Sequence, residues 1–70
     1  MTSWYEMRVD GARVAAFGDP ITTKALEQVF DLVDKTRLGL YRGKVLQIVA
    51  KGSDGWEELI HEEHPTVWED

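Results

Sequence analysis

The sequence predicts an α+β domain in which a small antiparallel sheet carries one long helix on one face. Three patterns support this class: an Asp10-Gly11 turn between two alternating segments, an amphipathic stretch that follows them, and an apolar, β-branched run at 45–50. A chain of 70 residues can form one hydrophobic core but not two. We therefore expect a single domain over residues 1–70.

The first predicted element is a β-hairpin over residues 4–17. Residues 4–9 alternate between apolar and polar, and Asp-Gly is favoured in a two-residue type I′ turn because both central residues take positive φ. A turn of two residues also sets the register of the strands. The predicted inner pairs are Val9–Ala12, Met7–Val14 and Tyr5–Ala16, and the predicted outer pair is Trp4–Phe17.

The second predicted element is a helix over residues 20–38. Asp19-Pro20 is typical of a helix start, although Thr22 or Thr23 is an alternative N-cap, and Gly39 is the expected left-handed stop. Apolar residues recur at helical spacing between these ends, which predicts that one side of the helix packs on the sheet. The predicted core consists of Leu26, Val29, Phe30, Val33, Leu46 and Ile48.

A third strand is predicted over residues 44–51, beside the first strand in the order two-one-three. A helix and a strand compete for the segment after it, and we favour a short C-terminal helix over 55–64. Trp56, Leu59 and Ile60 fit helical spacing, and Asp54 followed by a glutamate three residues later matches a capping box. An acidic tail over 65–70 follows. The predicted sheet thus has three strands, with helix 20–38 on one face.

Charge is distributed unevenly along the chain. Up to Lys51 there are eight Lys and Arg and six Asp and Glu, a net of +2, whereas from Gly52 onward there are seven acids and no Lys or Arg, a net of −7. Such an acidic third attracts cationic surfaces and repels phosphate backbones. Direct nucleic-acid binding through it is therefore not expected, although acidic tails can also act only as solubilisers.

The residue types needed for catalysis or metal binding do not form a known pattern. There is no cysteine, so disulfides and the usual zinc sites are excluded. His61 and His64 are three residues apart, whereas zinc proteases need histidines four apart on a helix. Paired glutamates need a water-poor pocket to act as acid and base, and a chain this short rarely encloses one. We expect no enzymatic activity, no cofactor and no metal.

The N-terminal residues contain neither the basic start nor the apolar run of a signal peptide, and no segment is long and apolar enough to span a membrane. A cytoplasmic protein without membrane contact is therefore expected. Oligomerisation is the remaining way for a small cysteine-free domain to gain stability, so a homodimer is also considered.

The functional expectation is stoichiometric binding to a larger protein with a basic surface, as an inhibitor or regulator of proteins that handle nucleic acids. Acids supply the charge, and tryptophans supply contact area. One alternative is a homo-oligomeric structural or assembly subunit that buries Trp4, Phe17 and Trp68. Another is a nucleic-acid-binding module that uses a basic sheet face. The candidate partner-binding residues are Trp4, Phe17, Trp56, Glu57, Glu58, Glu62, Glu63 and Trp68.

Overall fold

The computed structural model describes residues 2–18 and 22–64. The strands form one antiparallel sheet in the order β2-β1-β3-β4, and the helix lies on one face, mainly over β1 and β2. The α+β class and the order of the first three strands are confirmed, but the sheet has four strands rather than three. No helix in the described ranges is long and apolar enough to cross a membrane. The elements are β1 (Trp4–Val9), β2 (Ala12–Gly18), α1 (Thr23–Thr36), β3 (Leu46–Lys51) and β4 (Glu57–Glu63).

The β1–β2 hairpin has the predicted turn but not the predicted register. Asp10 and Gly11 take φ values of 51° and 87°, as a type I′ turn requires. The pairing then shifts between Met7 and Arg8, because Val14 is an extra residue in β2. This bulge buries more apolar area, since it turns Phe17 rather than the smaller alanine before it toward the core. The observed pairs beyond the bulge are Met7–Ala15, Glu6–Ala16, Tyr5–Phe17 and Trp4–Gly18.

Helix α1 is shorter than predicted at both ends. Thr22 is its N-cap, because the Thr22 side-chain oxygen accepts a hydrogen bond from the Ala25 amide at 3.2 Å. Asp19 and Pro20 lie outside the described residues. The predicted left-handed stop at Gly39 is wrong, since the backbone there does not take positive φ; after the helix the chain passes through consecutive turns, and Gly43 takes φ 81° instead.

The core lies between α1 and the middle of the sheet. Met7, Val29, Val33, Leu46 and Ile48 are fully or almost fully buried. Four of the six predicted core residues are among these five, and Leu26 packs against them while partly exposed. The prediction is wrong for Phe30, whose exposed fraction is 37%. The phase of the helix places Phe30 at its flank, where the Phe30 ring packs beside the imidazole of His61 at 5.4 Å between centroids.

The segment after β3 is a strand, so the predicted helix over 55–64 is wrong. A tight turn joins the two strands: the Gly52 amide donates to the Trp56 carbonyl at 2.7 Å, and Gly55 takes φ 91°. Asp54 accepts from the Trp56 amide at 3.2 Å and so stabilises this turn rather than a helix end. Strand pairing overrides local propensity here, because β3 is largely buried and would otherwise leave its outer backbone groups unpaired.

Candidate functional site

The face of the sheet opposite α1 carries a network of charged side chains centred on Glu6, which is 5% exposed. Its carboxylate accepts from Arg8 at 3.1 Å, from Arg13 at 3.5 Å and from the Trp4 indole at 3.3 Å. Burial raises the pKa of Glu6, but hydrogen bonds from Trp4 and Arg8 and the charges of Arg8 and Lys51 outweigh burial and leave that pKa lowered. Glu6 is therefore held as a carboxylate that links β1 to β2.

Glu57 extends this network to β4. Its carboxylate lies 2.9 Å from the Lys51 ammonium and 3.4 Å from the Arg8 guanidinium. Hydrogen bonds from Lys51 and Arg8, together with their charges, lower the pKa of Glu57. The predicted binding residue Glu57 thus contacts cations of β1 and β3, and part of its charge is compensated within the chain.

The other three glutamates of β4 differ in how far neighbouring side chains neutralise their negative charge. Glu63 is paired with Arg37, at 3.0 Å between guanidinium and carboxylate, and its side chain is 12% exposed. Glu62 accepts from the neutral Gln47 amide at 2.6 Å and contacts His64 at 3.0 Å; these hydrogen bonds lower the pKa of Glu62. Glu58 is exposed and makes no ion pair with any residue in 2–18 or 22–64. Glu58 and Glu62 therefore keep most of the strand's available negative charge.

An apolar centre lies between these acids. The exposed fractions are 51% for Leu59, 42% for Ile60 and 38% for Trp56. The helical spacing of the same three residues predicted that they would share one side of a helix. Ile60 is the extra residue of a bulge in β4, because Ile48 pairs with His61 while the next residue of β3 pairs with Leu59. The strand presents an exposed apolar centre with glutamates on both sides.

The predicted tryptophans and Phe17 do not form one surface. Trp4 lies on the open face and is bonded to Glu6, whereas Phe17 packs against the core on the helix side. Trp56 immediately precedes β4. Trp68 lies outside the described residues. Trp56 is the aromatic residue that the fold places beside the predicted acids.

The basic residues predicted to form one sheet face do not lie together, and nearby acids neutralise most of their charge. Arg8 and Lys51 share the open face with Trp4, but both are paired with glutamates. Tyr5 packs on the opposite face against the core. Lys44 lies in the loop before β3, 3.7 Å from an Asp10 carboxylate oxygen.

His61 lies in β4 and His64 follows it directly, and the two histidines contact different acids. His61 contacts Glu63 at 3.0 Å on the helix side, while His64 contacts Glu62. Within the described part of the chain, no three or more histidine, aspartate or glutamate side chains are arranged to hold a metal ion.

Comparison with known proteins adds no relative: no family model, no curated protein and no solved structure matches the chain significantly.

Proposed function

We propose that this protein is a non-enzymatic binder that uses β4 to contact a basic surface on a larger protein in a stoichiometric complex. The specific form of the proposal is an inhibitor or regulator of a protein that handles nucleic acids. The observation that supports it is the composition of β4: four glutamates in seven residues surround an exposed Leu59-Ile60 centre at an edge of the sheet.

The edge position gives a partner access to backbone as well as side chains. Within the described residues β4 pairs only with β3, so alternate N–H and C=O groups of β4 point away from the sheet. An edge of this kind can accept an extended segment of another protein, whose main chain supplies hydrogen bonds. The exposed apolar centre adds contact area that would leave water on binding.

Charge favours a basic partner over a second copy at this edge. The bulge places Glu57 and Glu62 on the open face and Glu58 and Glu63 on the helix side, so two β4 strands paired about a two-fold axis near their middle would oppose Glu57 to Glu62 or Glu58 to Glu63. Directly opposed like charges destabilise a strand pair, whereas Lys or Arg at those positions would be attracted. Proteins that bind phosphate backbones carry such cations, and the carboxylates of β4 would bind these cations in place of phosphate groups.

The setting we propose is the cytoplasm, where a chain without cysteine needs no oxidising compartment. The nucleic-acid-binding alternative gains no support from the basic residues of the open face, because Arg8 and Lys51 are paired with acids. The homo-oligomer alternative is not favoured through Trp4 and Phe17, which lie on opposite faces of the sheet.

A capture experiment with charge-matched baits tests the proposal. The baits are the parent chain, a Glu58→Gln/Glu62→Gln variant of β4 and a Glu27→Lys variant of α1. Both variants make the net charge less negative by two units, but only the first changes the proposed surface. We expect the parent and the α1 variant to retain a basic protein that moderate salt releases, and the β4 variant to lose it.

Two results would contradict the proposal. One is equal retention of the same protein by all three baits in high salt, since that contact would not depend on the acids of β4. The other is equal loss in both variants, which would indicate a response to overall net charge rather than a site on β4.

A further inference from the structure

The two edges of the sheet differ in chemistry, and the β2 edge has no charge pattern that would oppose self-pairing. Arg13 is the one charged residue in β2, and it lies near the hairpin turn and is bonded to Glu6. The rest of the strand is small or apolar, and within the described residues its one neighbour is β1. Natural sheets protect exposed edges with charges, bulges or covering segments. Beyond the bulge at Val14, the residues from Ala15 to Gly18 carry no charge.

A shallow groove runs along the same edge, between β2 and α1. It is lined by Phe17 of β2 and by one stripe of the helix, with an accessible volume of about 280 Å³. The stripe residues are three or four positions apart and so lie on one side of α1. Its charged members have opposite sign, with the Asp31 carboxylate 2.8 Å from the Lys35 ammonium and both side chains mostly exposed. The stripe consists of Gln28, Asp31, Leu32 and Lys35.

From these two features we infer that a second copy of this chain docks on the β2 edge, so that two β2 strands pair antiparallel and the two sheets become one eight-stranded sheet. A two-fold axis at Ala16 pairs Ala16 with its own copy and Ala15 with Phe17, keeps the paired residues within 14–18 and opposes no like charges. The same axis places both α1 helices on one face, antiparallel to each other. Each helix stripe then meets its own copy, which brings Lys35 toward Asp31 or Gln28 of the partner chain.

The spacing of the elements fits this arrangement. Helix α1 lies mainly over β1 and β2 and also contacts β3, so its axis lies at least one strand spacing of about 4.8 Å from the two-fold axis. The two helices would then lie at least about 10 Å apart, at the upper end of the usual distance between packed helices, so their contact would be made by the longer side chains of the stripe. The groove of one copy would be filled by Leu32 of the other. This inference concerns the edge opposite β4 and does not depend on the proposed function.

The test is the mass of the full chain in solution, measured by light scattering over a dilution series. The parent should have twice the 8.0 kDa chain mass at high concentration. Ala16→Lys should convert it to monomers, because Ala16 is exposed opposite Glu6 and a lysine there is tolerated in one chain but meets another lysine across the axis. Asp31→Lys should also weaken the dimer, by placing only positive charge along the stripe.

Two further variants distinguish this interface from others. The charge swap Asp31→Lys/Lys35→Asp restores opposite signs within the stripe and should restore the dimer. Ile60→Lys lies on the β4 edge and should leave the dimer intact. Circular dichroism confirms that each variant is folded. A parent that stays monomeric at every concentration overturns the inference, and so does a dimer that Ala16→Lys and Asp31→Lys leave unchanged.

Discussion

At the scale of single residues, Glu6 holds several side chains of the open sheet face together. Its nearly buried carboxylate contacts Arg8, Arg13 and the Trp4 indole. Because folding lowers the pKa of Glu6, its ionised carboxylate stabilises the folded state when the pH is above the unfolded pKa, near 4.5. This contribution is lost as the pH falls through the folded pKa. Glu57 and Glu62 have the same direction of shift.

We therefore expect the free energy of unfolding of the parent to decrease as pH is lowered from neutrality to below about 4.5. Glu6→Gln should be less stable than the parent at neutral pH and should lose part of this pH dependence. Denaturant melts at a series of pH values measure both effects. Glu27→Gln is the control, because Glu27 makes no ion pair within the described residues. Equal acid sensitivity of Glu6→Gln and the parent would show that Glu6 titrates no differently on folding.

At the scale of elements, the turn that joins β3 to β4 depends on one glycine. Gly55 takes φ 91°, which a residue with a side chain adopts only with strain, while the space around it is open. Gly55→Ala should therefore cost about 1 kcal/mol of stability through backbone strain alone. Gly39→Ala is the matched control, because Gly39 does not take positive φ and an added methyl group would make ordinary contact with the Lys35 carbonyl at 3.8 Å.

Thermal melts of the two variants check this expectation. Gly55→Ala should melt below the parent, and Gly39→Ala should match it or melt slightly higher, since alanine restricts the unfolded chain. If both variants melt together, the left-handed conformation at Gly55 does not limit stability, and the β3–β4 turn differs from the one described.

The elements that depend on local signals were predicted well, and those that depend on tertiary pairing were not. Asp10-Gly11 gave the hairpin turn, and the helical spacing of Val29 and Val33 gave the buried side of α1. The bulge at Val14 has no local signature, because it arises from the gain in burying Phe17. β4 was assigned to a helix because its glutamates and leucine favour helices locally, whereas pairing with β3 determines its conformation.

The same misassignment affected the candidate site. The four glutamates of β4 were predicted as partner-binding residues and Leu59 and Ile60 were not, because a helix would have placed the two apolar residues on its inner side. In the strand both residues are exposed among the acids. The Gly52–Gly55 turn directly after an apolar strand was the signal that favoured a hairpin, and it was outweighed by the resemblance to a capping box at Asp54.

At the scale of the whole molecule, a four-stranded sheet has one face covered by α1 and two edges with different surfaces. The β4 edge is acidic around an exposed apolar centre. The β2 edge carries one charged residue and adjoins the helix stripe. The proposals assign a basic protein to the first edge and a second copy to the other, so both contacts can be made at once.

Binding of the basic partner through β4 should protect the backbone amides of that strand. Amide hydrogen exchange, measured on the full chain alone and then saturated with the captured protein, tests this directly. We predict slower exchange across residues 57–63 in the complex, with that protection reduced by moderate salt and weaker in Glu58→Gln/Glu62→Gln. Unchanged exchange across 57–63, with protection confined to other segments, would contradict the claim.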